Sequence, residues 1–133
     1  MQIGTVAEKS GVPAKTIRYY ESVGLIDAAR RTAGGYRTYD ERDVETLRFI
    51  QRARSLGFPV ADVADLLTLW RDRERQSAQV KALAERHLAE MDRKIAELRG
   101  MRQTLEHLVE RCHGDDRPEC PILADLAKKT SAS

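Results

Sequence analysis

Aromatic residues are scarce in this chain of 133 residues: one Trp, two Phe and four Tyr, 5% in all. No apolar run approaches the roughly 18 residues of a membrane span, and no basic segment followed by an apolar one opens the chain. Those absences predict a protein that is neither membrane-inserted nor exported, and so one that works in the cytoplasm. Two cysteines in such a reducing compartment are weak disulfide candidates, which makes thiol or thiolate chemistry the better starting point. Catalytic signatures are missing as well. No Ser/His/Asp arrangement, phosphate-binding loop or HExxH motif occurs, and so short a chain leaves little room for an enclosed pocket. An enzyme is not expected, and extra burial is expected to come from a partner subunit. No internal repeat is evident, and only the terminal Lys128-Lys129-Thr130-Ser131-Ala132-Ser133 reads as a frayed tail.

What is abundant is charge, 33% of residues, with a formal net of only +2. The balance is uneven along the chain. Residues 1–37 carry six Lys or Arg against three acids, leaving 17 against 18 elsewhere. A local basic surplus of this kind is the electrostatic footprint of a DNA-binding segment.

Apolar positions recur at three- and four-residue intervals, so the fold is predicted to be mostly α. A first helix is expected to open at Thr5, with Glu8 completing a capping box, and to end near Gly11. Pro13 suits the first position of a second helix running to Glu21, with Gly24 as its stop. Residues 30–39, with Gly34-Gly35 between basic and strand-favouring residues, predict a short β-hairpin. Asp40 is the expected cap of a third helix ending near Leu56-Gly57. A fourth follows Pro59, with Val63, Leu66, Leu67 and Trp70 at core spacing.

Two short helices joined by a tight turn, followed by a hairpin, are the parts of a winged helix-turn-helix, in which the second helix enters the major groove and the hairpin reaches a flanking phosphate. The expected contacts are Lys15, Arg18, Tyr19, Arg31, Tyr36 and Arg37. Arg31, Tyr36 and Arg37 are assigned to phosphate, while Arg18 also has the geometry to fork onto a guanine edge. The alternative is that the tyrosines are core or rim aromatics and the arginines a solvated face, a description that suits Tyr20 and Tyr39.

From Val80 to Cys112 one stripe collects Val80, Ala84, Leu88, Met91, Ile95, Leu98, Met101, Leu105, Leu108 and Cys112, with steps averaging about 3.6 residues, near a coiled-coil seam. The helix would be on the order of 50 Å long, more than the rest of the chain can cover. A second copy, parallel or antiparallel, is the expected cover; packing on its own domain is the alternative. Met91 and Met101 belong to this stripe and not to a thioether metal site, and His87 and His107 read as surface or seam residues. The organisation expected is a DNA-binding domain over 1–75, a dimerisation helix over 76–111, and a metal-binding loop, short helix and tail over 112–133.

Cys112 ends the long helix, Gly114 lets the chain leave it, and Cys120 falls at the N-cap of a short terminal helix begun by Pro121. A helix start favours thiolate. Two thiolates suit a soft monovalent ion in linear coordination, whereas zinc normally takes four ligands and a dedicated site should offer more thiolate or imidazole than His113, Asp115, Asp116 and Glu119 supply. His113 is a candidate for tuning access or for weak ligation. Incidental cysteines, or a reversible disulfide that senses oxidants, remain as alternatives.

Ile3-Gly4-Thr5-Val6-Ala7, Thr16-Ile17-Arg18-Tyr19-Tyr20-Glu21, Gly24-Leu25-Ile26 and Tyr36-Arg37-Thr38-Tyr39 closely resemble the N-terminal signature of MerR-family transcription regulators. The segment from Cys112-His113-Gly114 to Glu119-Cys120-Pro121-Ile122-Leu123 resembles the metal loop of the copper-efflux (CueR-like) group of that family. The resemblance implies an antiparallel coiled-coil homodimer on a dyad-symmetric promoter with an overlong spacer. It also implies that the metal-bound dimer distorts this DNA, acting on RNA polymerase through the promoter to activate efflux or detoxification genes. Where divalent-ion sensors of the family carry a third cysteine, this chain has Ser77, as monovalent sensors do, and Lys81 matches a position near the site in copper sensors. Cu(I) is therefore the implied effector, with Ag(I) or Au(I) in the same class, since His113 departs from the copper-sensor loops and Pro118 resembles gold-responsive relatives. A zinc, other divalent or thiol-redox sensor on the same scaffold is the alternative. A drug sensor would need a larger ligand domain than the roughly 20 residues after Cys112 provide.

Overall fold

The computed structural model describes residues 1–129 apart from Tyr36 and the side chain of Arg37. The described residues are mostly helical: α1 (Ile3–Ser10), α2 (Ala14–Ser22), β1 (Arg30–Arg31), β2 (Arg37–Thr38), α3 (Glu41–Ser55), α4 (Val60–Arg71), α5 (Ser77–Arg111) and α6 (Pro121–Leu126). They divide into two compact units, Met1–Ala84 and a second that begins at Glu85.

The first unit is organised by one aliphatic core. α1 packs on α2 and α3, and α3 on α4. Val6 of α1, Ile17 of α2, Val44, Leu47 and Ile50 of α3 and Val63 of α4 are completely buried. Along α3 the buried positions fall every three residues, one stripe of the helix surface. Each such side chain taken out of water contributes about 1.5–3 kcal/mol. Tyr20 and Tyr39 are core aromatics, as their sequence positions suggested.

α1 starts three residues earlier than the Thr5 capping pattern predicts. Its N-cap is Gln2, no side chain caps it, and the Thr5 and Val6 amides donate to the Gln2 carbonyl at 3.1 Å. Ile3 packs against the core, so the helix gains apolar burial by starting there, which outweighs the cap offered further on. At its other end Gly11, with φ 78°, takes the left-handed conformation and donates to the Ala7 carbonyl. Pro13 stands just outside α2 in extended conformation, one place before its expected position. Asp40 does cap α3. Its carboxylate accepts the Asp43 N–H at 3.1 Å, and the Asp43 carboxylate accepts the Asp40 N–H at 2.9 Å. Trp70 is not a core residue: it is 41% exposed, its ring stacked on Phe49 with centroids 4.4 Å apart.

β1 and β2 pair antiparallel, Arg30 opposite Thr38 and Arg31 opposite Arg37. The turn between them is closed by the Gly35 N–H on the Thr32 carbonyl at 2.9 Å, with Gly35 at φ 82°.

α5 runs for 35 residues. Leu88, Met91, Ile95, Leu98, Met101 and Leu105 of its apolar stripe are all exposed in the single chain, Leu98 at 62%, whereas Leu108 is buried. Among the described residues no helix is long and apolar enough to cross a membrane.

Candidate DNA-reading face and thiol pair

Lys15, Arg18 and Tyr19 lie three and four residues apart on α2, which places them on one helix face. All three are exposed, and Tyr19 is half out of the surface, while Ile17 and Tyr20 on the opposite face are buried. The core thus fixes which side of α2 is offered to solvent. That side carries two cations and a phenol, a set suited to phosphate oxygens and base edges.

Arg31 is exposed on the hairpin and donates from Nη1 to the Gly35 carbonyl at 3.2 Å, so its side chain lies over the turn. The backbone of Arg37 pairs with Arg31. The Arg37 side chain and Tyr36, both expected at phosphate, lie outside the described residues. Glu21, in the last turn of α2, carries no local sequence signal of a role in the site. Its carboxylate accepts the Tyr39 hydroxyl at 2.7 Å, joining α2 to the end of the hairpin. A partner 18 residues away on another element leaves no mark in local periodicity, so only the fold reveals it.

In the second unit, Cys112 follows the last residue of α5 and its N–H donates to the Val109 carbonyl at 3.2 Å. Gly114, at φ 62°, turns the chain away from the helix. Asp115 then folds the loop on itself: its carboxylate accepts the Arg117 N–H at 3.0 Å and Arg117 Nε at 2.9 Å, with Nη2 at 2.7 Å. Cys120 is the N-cap of α6, with Pro121 at its first position, as expected. Both thiols are free and half-buried.

No side-chain cap hydrogen bond closes the start of α6. The Leu123 amide is the main cause holding the Cys120 thiol below its ordinary pKa; desolvation opposes it, and the Ile122 amide and the Cys112 thiol assist. The structure therefore brings Cys112 and Cys120 together and favours thiolate at one of them. His113 is exposed. Among the described residues no three His, Cys, Asp or Glu converge to hold a metal ion. The chemistry of the pair is that of two soft sulfur donors, which fit a soft ion of low coordination number. Ser77 and Lys81 are exposed at the start of α5, in the first unit, while the cysteines belong to the second.

Residues 1–69 match the family model of the MerR HTH family regulatory protein, and residues 44–108 match a second one described as MerR, DNA binding. The HTH-type transcriptional regulator HmrR of Sinorhizobium medicae is 56% identical over 133 residues, spanning 100% of this chain and 90% of that protein. The HTH-type transcriptional regulator CueR of Salmonella typhimurium is 40% identical over 127 residues, 96% of this chain and 92% of that one. Among solved structures, the transcription regulator PbrR691 from Ralstonia metallidurans in complex with lead(II) superposes with a TM-score of 0.83 at 35% identity, covering 96% of this chain and 99% of that one.

Proposed function

The chain belongs to the MerR family of helix-turn-helix regulators, and from that premise we propose that it is a Cu(I)-responsive transcriptional activator, with Ag(I) and Au(I) as ions of the same class. It is a metal-responsive transcription regulator and not an enzyme. Proteins of this family bind promoter DNA as homodimers. Its place of work is the cytoplasm, where the promoter is.

The observation that carries the choice of ion is the thiol pair. Cys112 and Cys120 meet beside amide donors that favour thiolate at Cys120, with no third His, Cys, Asp or Glu converging on them among the described residues. Two thiolates around a +1 ion leave a single negative charge, which backbone donors stabilise at modest cost; a divalent ion of zinc type calls for further ligands. Ser77 supports the same reading, because a hydroxyl is a poor substitute for a third thiolate. Lys81 and His113 are assigned to tuning the site's charge and access.

In this reading residues 1–75 bind DNA, with β1 and β2 as the wing; residues 76–111 form an antiparallel coiled coil, and 112–133 carry the metal loop, α6 and the tail. Lys15, Arg18 and Tyr19 enter the major groove, while Arg31, Tyr36 and Arg37 hold the flanking phosphates. The exposed apolar stripe of α5 supports the coiled coil, since a second copy removes Leu98 and its neighbours from water. Activation requires that the dimer which distorts the promoter bind metal more tightly than the one that does not, because an effector shifts an equilibrium only by its differential affinity.

Anaerobic titration of the reduced dimer with Cu(I) under a competing chelator tests the assignment, run beside Zn(II) and Pb(II) and with transcription from the target promoter followed in parallel. One tightly held Cu(I) per subunit, lost in both Cys112→Ser and Cys120→Ser together with activation, is the expected result. Stronger activation by a divalent ion, such as the lead(II) found in the complex of PbrR691, would replace Cu(I) as the effector. Activation by oxidant without metal would make the pair a redox switch.

A further inference from the structure

The hairpin β1–β2 has two residues in each strand. A two-stranded ribbon of any length is marginal on its own in water, so its placement has to be fixed from outside the ribbon. Tyr39 stands at the place where that can happen. It directly follows β2 and precedes Asp40, the cap of α3. Its ring is 4% exposed within the core, its N–H donates to the Met1 carbonyl at 2.8 Å, and its hydroxyl donates to Glu21 Oε1 at 2.7 Å. Glu21 lies in the last turn of α2, three residues after Arg18 and two after Tyr19.

We propose that the Tyr39–Glu21 hydrogen bond is a positioning device for DNA recognition, setting the distance and angle between the groove-reading face of α2 and the hairpin beside it. Neither residue touches DNA in this role. The bond to the Met1 carbonyl fixes the Tyr39 backbone against the N-terminus and apolar contact of the ring is non-directional, so neither removes its freedom relative to α2. A charge-assisted hydrogen bond is directional, and at 2.7 Å it removes that freedom. Two contact sets that engage neighbouring grooves and phosphates must match the spacing of the duplex together, so an error in their separation weakens both. The inference rests on the assignment of α2 and the hairpin to DNA.

The test uses a duplex enriched from a random pool by the wild-type protein, with affinity followed by fluorescence anisotropy over a salt series well below the melting temperature. Tyr39→Phe keeps the ring and removes the hydroxyl. It should bind the selected duplex about tenfold more weakly, the order expected for a hydrogen bond to a charged group. The slope of log affinity against log salt should not change, because no phosphate contact is lost. Glu21→Gln, which keeps an acceptor, should retain most of the affinity, and Tyr39→Phe with Glu21→Ala should cost less than the sum of the two single variants, the mark of a shared bond. Wild-type affinity in folded Tyr39→Phe would overturn the proposal. So would a slope reduced by about one, which would place the hydroxyl at a phosphate. Failure of the wild type to enrich any duplex would instead overturn the DNA assignment on which it rests.

Discussion

The side chains of Cys112 and Cys120 meet at the two ends of the loop that separates them, and the Cys120 thiol is held low first by the Leu123 amide, then by the Ile122 amide and by Cys112 itself, against desolvation. In the metal-free, reduced protein, iodoacetamide should therefore modify Cys120 with a pH midpoint below that of free cysteine, read residue by residue by mass spectrometry. Leu123→Pro removes the main donor at a position in the first turn of α6 where proline is tolerated, and should move the midpoint up. A Cys120 midpoint equal to that of free cysteine would remove the amide support from the metal site.

The Asp40–Asp43 pair at the start of α3 makes opposite demands on pH. The Asp43 amide is the main cause that lowers the Asp40 pKa, so the contribution of Asp40 is complete above the ordinary carboxylate range and is lost as pH falls through its depressed value. Desolvation is the main cause that raises the Asp43 pKa, so its contribution is present in acid and is lost as pH rises through its raised value. The two limbs partly cancel in the wild type. Asp40→Asn, a residue that caps as well as Asp, should keep the melting temperature near neutral pH within a few degrees and remove the acid-side loss, whereas Asp40→Ala should lower it at neutral pH. Equal melting temperatures for Asn and Ala at pH 7 would show that the cap contributes nothing.

Much of the first unit was legible in the sequence because its signals are local. Asp40 as a cap, the Gly-Gly turn and the apolar spacing of α4 each act within a few residues, and the elements form where those signals lie. The start of α1 was misplaced because burial of Ile3, a tertiary effect, overrode the local cap at Thr5. Trp70 fell at core spacing yet lies at the rim, since periodicity gives a helix face but not how far the neighbouring helix extends over it. Of the candidate site, Cys112 and Cys120 were legible from residue type and from Pro121 at the helix start. The Asp115–Arg117 closure and the Glu21–Tyr39 bond were not, because each depends on a conformation that no spacing rule encodes.

The exposed stripe of α5 gives a sharp contrast between substitutions on the same helix. Leu98→Glu places a charge where a second copy is expected to pack and should convert dimer to monomer at micromolar concentration in sedimentation equilibrium, with loss of binding to the dyad-symmetric promoter. Arg102→Ala breaks an exposed i,i+4 pair with Glu106, 2.9 Å apart, and should change dimer stability by less than about 0.5 kcal/mol. A dimer unaffected by Leu98→Glu would place the interface on a different face of the helix.

Arg18 and Arg31 differ in what they are expected to read, and salt separates the two. Arg31 lies over the hairpin turn, where its guanidinium donates to the Gly35 carbonyl and keeps other N–H groups for a phosphate. Arg31→Ala should weaken binding to specific and random duplexes alike and reduce the salt slope by about one, the signature of one lost phosphate contact. Arg18 projects from the middle of α2, on the face opposite the buried Ile17, so its fork is available to a guanine edge. Arg18→Ala should cost about 1–3 kcal/mol on the selected duplex and much less on random DNA, relaxing preference at one position of each half-site. If Arg18→Ala instead weakened both duplexes equally, Arg18 would be a phosphate contact, and sequence reading by α2 would have to come from Lys15 or Tyr19.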